Sequence, residues 1–181
     1  PSGWDLPIAA VAIADAPLDM VRLWHAELRA AEAGFHPAAA DEGRWVTYLL
    51  ETQLGGSPAS ARARYVEYSP YVFGEADGGN ALHLRNLPLR AYHEPDVDWW
   101  IEHRRKSYYS MNSLDLAGLV NQLRLLGNDR AELITSHGAR SGYAEGASPH
   151  TWSIVDNADL VEWFLRQPPP PAQMSLEAGA P

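Results

Sequence analysis

There is no cysteine among the 181 residues, so a disulfide, a thiolate zinc site and a cysteine nucleophile are excluded, and the redox compartment is left open. No apolar run approaches the roughly 18 residues that a membrane-spanning helix needs. The N-terminal stretch P-S-G-W-D has neither a basic region nor a cleavage-site pattern. Positive charge is scarce: 14 Lys and Arg stand against 23 Asp and Glu, a formal net charge of −9. A surface of that sign repels polyanions at long range, which argues against nucleic acid and anionic membrane and toward a small-molecule partner. An initiating Met is also missing, and the chain opens directly on a loop before a strand. A fragment or a processed chain is expected, although removal of Met before Pro1 would leave the same end.

What is present suits one folded domain, since 46% apolar and 20% charged residues are the proportions of a soluble globular chain with a sizeable core. Ile8 to Ala14 is a continuous apolar run bounded by Pro7 and Asp15-Ala16-Pro17, and it predicts a central parallel strand buried on both faces. Met20, Leu23, Trp24, Leu28 and Ala31 recur at helical steps, predicting a helix over Leu18 to Ala33 with Asp19 as N-cap and Gly34 as its stop. Trp45, Leu49, Leu50, Gln53 and Leu54 predict a second helix ending at Gly55-Gly56. The interval to Asn86 is turn-rich, with a short helix over Ala61 to Glu67.

Leu87 to Tyr92, flanked by Pro88 and Pro95, reads as the next strand. Trp99 to Tyr109 (W-W-I-E-H-R-R-K-S-Y-Y) is dense in aromatic and basic residues. Asp115 to Leu126 is a helical pattern with Leu116, Leu119, Val120, Leu123 and Leu126 on one side, residues 130–135 a third strand, and Ile154 to Leu165 a terminal helix stopped by Pro168 to Pro171. A strand, helix, strand series of this kind predicts a parallel sheet with right-handed crossovers. The last ten residues read as a loose tail.

Two short segments concentrate chemistry. His-Glu-Pro-Asp (93–96) puts an acid just past the C-terminal end of a predicted strand, where open α/β sheets keep their active sites. Ser-Pro-His-Thr-Trp (148–152) puts His150 between a Gly-rich loop (Gly138 to Gly146) and the terminal helix. A carboxylate on one ring nitrogen of a histidine fixes its tautomer and stabilises the imidazolium formed during nucleophilic catalysis. Asp96 is the favoured acid, Asp98 the alternative and Glu94 the third choice. The plainer readings are a Pro-Asp turn for Asp96 and a surface loop for His150. His93 reads as a packed or hydrogen-bonded residue. Asp15 and Asp19 also follow a strand, Asp19 with the simpler role of helix cap. Trp99, Trp100 and Trp152 are candidates for pocket lining, with the indoles of Trp99 and Trp100 wedged against the sheet as the alternative.

The order acid, helix, strand, histidine, helix resembles the C-terminal half of an α/β-hydrolase, in which the triad runs along the chain as nucleophile, acid, histidine. The likeness covers roughly Ala9 to Leu165. It implies an α/β fold, in part that of an α/β-hydrolase, with parallel strands, flanking helices and a helical cap-like insertion. Residues 1–167 would be the C-terminal part of the catalytic domain, with 16–86 the insertion and 168–181 a Pro-rich tail. The first two strands lie roughly seventy residues apart, where a direct connection takes about two to six; in the family this is a common place for a lid over the pocket. The chain contains no G-x-S-x-G. Gly-Gly-Ser57-Pro-Ala follows a helix and ends in Ala, and Ser2 stands at the place where a Ser-Gly pair follows the nucleophile helix.

The resemblance therefore implies a nucleophilic serine upstream, in an N-terminal half of the same domain, and a fragment inactive alone. It implies a serine hydrolase of carboxylic esters or a related acyl bond, with Asp96 and His150 in the triad, a small acyl substrate and no cofactor or metal. Two other readings stand beside it: a hydrolase-like binding module without chemistry, and a magnesium-dependent phosphatase using the D-x-D pair Asp96 and Asp98.

Overall fold

A computed structural model of the chain describes residues 7–138 and 148–169. Its fold is α/β. Strands β1 (Val11–Ala14), β2 (Leu89–His93) and β3 (Ala131–Thr135) form a parallel sheet in the order β1-β2-β3. Helices α1 (Met20–Ala33), α2 (Pro37–Leu54) and α3 (Pro58–Tyr68) separate β1 from β2. Helices α4 (Val97–Arg104) and α5 (Asn112–Leu125) separate β2 from β3, and α6 (Asn157–Leu165) closes the described chain.

The register explains the layers. Val11, Leu89 and Ala131 lie side by side, as do Ile13, Ala91 and Leu133, and period-two alternation sends both rows to one face. That face packs on Leu116, Leu119, Val120 and Leu123 of α5, the stripe that the helical periodicity predicted. Burying each of these leucines is worth about 1.5–3 kcal/mol relative to exposure. The alternate rows, Ala12 with Arg90 and Glu132, and Ala14 with Tyr92 and Ile134, face the other way, toward Ile154, Val155, Leu160 and Trp163. There Arg90 binds Glu132 at 2.7 Å and Asp159 at 2.6 Å, with its guanidinium 5.0 Å from the Trp163 ring. The sheet is thus covered on both sides.

Most predicted elements appear, with corrections. The first strand begins at Val11, where pairing with β2 starts at the Pro88 carbonyl, and Ile8 is exposed. Among the described strands β1 is an edge, not central, and its residues are only half-buried. The buried face of α2 is Ala39, Ala40, Gly43, Thr47, Leu50 and Leu54, whereas Trp45 is exposed. The basic segment after β2 starts as helix α4. The Gly-rich loop beyond Gly138, and the tail from residue 170, lie outside the described residues.

Helices α1 to α3 share a second core of Met20, Trp24, Leu50, Leu54 and Tyr65. The α1–α2 crossing is tight at Gly43, where an added Cβ would lie 2.3 Å from the Glu27 carbonyl oxygen. A second constraint ties these helices to the sheet. The buried carboxylate of Asp115 accepts the backbone N–H groups of Leu18 (3.0 Å) and Asp19 (3.1 Å) and both Nε and Nη2 of Arg22.

Two stability outcomes are expected in urea titrations. Gly43→Ala should destabilise by about 1–3 kcal/mol, against the roughly 1 kcal/mol that alanine gains in a helix, because a backbone carbonyl has to move. Asp115→Ala should cost about 3–5 kcal/mol by leaving a mostly buried guanidinium and two N–H groups unpaired. A neutral result for either variant would contradict the packing described.

Candidate functional site

Parallel strands end on a common rim, and the rim of this sheet carries Asp15 after β1, His93 and Glu94 at the end of β2, and Thr135 and Ser136 at the end of β3. Asp15 is held from three directions. Its N–H donates to the Tyr92 carbonyl at 2.9 Å, its own carbonyl accepts from Asn112 Nδ2 at 2.8 Å, and its side chain, about nine-tenths buried, meets His150. Its φ of 41° is left-handed, a costly conformation outside glycine that persists only where the surroundings enforce it.

His150 Nδ1 lies 2.6 Å from Asp15 Oδ2. A carboxylate oxygen only accepts, so Nδ1 carries the proton and Nε2 of the neutral ring keeps a lone pair. The hydrogen bond that the ring donates to Asp15 is the largest influence on the imidazole and raises its pKa above the ordinary 6.5; partial burial opposes this, the Glu42 carboxylate adds to it and the Lys106 ammonium subtracts. The His150 side chain is half-exposed, and its ring centroid stands 6.4 Å from that of Trp100.

The carboxylate on His150 is therefore that of Asp15, where the sequence favoured Asp96. The chain leaves β2 at His93 and has turned into α4 by Asp96, whose Oδ1 accepts the Trp99 N–H at 3.0 Å as the helix cap. Asp98, the alternative acid, is exposed in the first turn of that helix. Glu94 is buried and accepts the Ser136 hydroxyl at 3.1 Å. His93 is packed as expected: Nε2 lies 2.7 Å from Thr135 Oγ1, and burial lowers its pKa against the opposing Asp15 and Glu94 charges.

Beside His150 runs a cleft of about 170 Å³. Helix α1 gives it Leu23 and Glu27, α2 gives Glu42 and Val46, α4 gives Trp100 and the start of α5 gives Asn112. Trp100 thus lines it, while Trp99 is buried and stacked on His103, and Trp152 is exposed with its indole N–H on Asn157. At one wall Lys106 Nζ binds Glu27 Oε1 at 2.8 Å and Glu42 Oε2 at 3.4 Å, with the first two side chains almost fully buried. Among the described residues, no group of three or more His, Asp or Glu side chains is placed to hold a metal ion.

Sequence reasoning did not single out Asp15 as the acid or link Lys106 with Glu27. Asp15 carries the same signal as Asp96, an acid directly after an apolar strand, and spacing alone does not rank the two. No protein-family model matches the chain, and neither a curated protein nor a solved structure matches it.

Histidine titration followed by NMR should place His150 above 6.5. Asp15→Asn should bring it down, because the amide supplies no charge to favour the imidazolium, whereas Asp96→Asn should leave it in place. A His150 midpoint indifferent to Asp15→Asn would remove the pairing.

Proposed function

We propose that Asp15 and His150 are the acid and base of a hydrolase acting on carboxylic esters or a related acyl bond, of the α/β-hydrolase kind. The observation that carries this reading is the 2.6 Å contact between a buried carboxylate and Nδ1 of a half-exposed imidazole at a cleft on the sheet rim. Such a pair leaves Nε2 to take the proton of an attacking hydroxyl, while Asp15 holds the ring and stabilises the imidazolium. The imidazolium then gives that proton to the departing alkoxide as the ester C–O bond breaks, and water repeats the cycle on the acyl-enzyme.

The nucleophilic serine of this reading comes from outside the described residues, as the sequence resemblance implies. Helices α1 to α3, with their own core above the rim, serve as the cap that shapes substrate access. The separate core of these three helices is compatible with that role. The phosphotransfer reading has less behind it, since Asp96 is engaged as a helix cap and Asp98 lies on the exposed face of the same turn.

In the full-length protein, assayed on a short-chain p-nitrophenyl ester, His150→Ala should lower kcat by several orders of magnitude, and Asp15→Asn by up to about 10⁴-fold. Asp96→Asn should cost far less. Because the base works only when neutral, kcat/KM should climb with pH through a midpoint above 6.5. Retention of a tenth or more of wild-type activity in His150→Ala would refute the role.

A further inference from the structure

Arg104 and Arg105, in the basic segment after β2, have no part in the chemistry above, yet they converge with two other elements. Arg104 ends α4, Arg105 caps it, and both line a cavity of about 70 Å³ with Arg29 of α1 and His36, the N-cap of α2. Through Arg29, Ser107 and Ser110 the cavity runs on into a shallower groove of about 300 Å³. Among the described residues no Asp or Glu lines either one, in a chain whose net charge is −9.

Lys106 at the cavity wall is neutralised by Glu27 and Glu42. Arg29, Arg104 and Arg105 pair with no carboxylate among the described residues. The Arg104 guanidinium lies 5.4 Å from the Trp99 ring and donates to the His103 carbonyl, which fixes its place without cancelling its charge. Arg105 occupies the left-handed region at φ 56°, a cost that a glycine would avoid. The N-terminus of the 18-residue α2 adds the positive end of a helix dipole. Three uncompensated guanidiniums around one concavity match the geometry of phosphoryl and carboxylate groups. Lys106 and Ser110 line both this cavity and the cleft that holds His150, so the two spaces share a wall.

We infer that the Arg29, Arg104 and Arg105 groove binds an oxyanion, phosphoryl or carboxylate, borne by the acyl substrate whose scissile bond lies at His150. The link to a substrate rests on the hydrolase reading; the anion site does not.

Calorimetric titration of the full-length protein with pyrophosphate and with citrate, at constant ionic strength, tests the site. Saturable binding is expected, weakened about tenfold in Arg29→Gln and in Arg105→Gly by loss of a charge-assisted hydrogen bond. Glycine suits the Arg105 backbone, so that variant should remain as stable as the wild type or gain slightly, and its lost affinity would report the missing guanidinium rather than unfolding. Tighter binding of pyrophosphate or of citrate names the phosphoryl or the carboxylate source. Failure of both to bind, or affinities unchanged in both variants, overturns the inference.

A second arm compares a phenyl ester bearing a phosphate or carboxylate with its neutral counterpart. The anionic ester should show the lower KM, and that KM should rise more in the two variants than the neutral ester's does. Anion binding with no such preference would overturn the substrate assignment and leave the hydrolase reading standing. Anion binding with no hydrolysis of either ester would defeat the hydrolase reading and leave the anion site.

Discussion

The carboxylate of Asp115 holds the rim of the sheet in place. The turn from β1 into α1 leaves N–H groups that no helix or strand satisfies, and a buried orphan of this kind costs about 1–3 kcal/mol. Asp115, in the first turn of α5, takes two of them on Oδ2 and spends its remaining capacity on Arg22. Arg22 Nη2 in turn reaches Asn112 Oδ1 at 3.3 Å, and Asn112 Nδ2 grips the Asp15 carbonyl. One chain of polar contacts thus runs from the helix under the sheet to the left-handed residue whose side chain orients His150. Desolvating Asp115 is tolerable because its oxygens are so fully engaged, and the same engagement makes the position of Asp15 difficult to alter.

Period was legible in the sequence; edges and partners were less so. The stripe Leu116, Leu119, Val120 and Leu123 was readable because one face of α5 meets one face of the sheet, and nothing polar interrupts it. The apolar run at Ile8 to Ala14 reads the same whether a strand is central or at an edge, since Ala and Ile suit both. Trp45 matched a helical period yet lies exposed, because α2 approaches α1 through Gly43, and a face chosen for close backbone contact is built from small residues that hydropathy ignores.

The acid was the least legible feature. Asp15 and Asp96 each follow a strand, and what separates them is the backbone beyond. After β2 the chain winds at once into α4, whose first turn needs an acceptor, and Asp96 meets that local demand. After β1 the chain kinks through a positive φ and does not enter a helix until Met20, where Asp19 is the cap. Asp15 is left without a local task, and a long-range partner takes it. A residue's nearest unmet donor decides its role, and that donor is a property of the turn rather than of the strand that precedes it.

Charge around the cleft also gives direction to anything that enters it. Asp15, Glu27 and Glu42 are acidic, and Lys106 is the one cation among the described side chains that line the cleft with His150. Since Glu42 favours the imidazolium and Lys106 disfavours it, the buried Lys106 limits how far the surrounding carboxylates push the His150 imidazole toward its protonated form. The same acidic balance repels an anionic group from the His150 end, while the guanidiniums across the shared wall attract it. A molecule with one anionic and one neutral end would therefore meet opposed fields over a short distance, and electrostatics would turn its neutral end toward the imidazole.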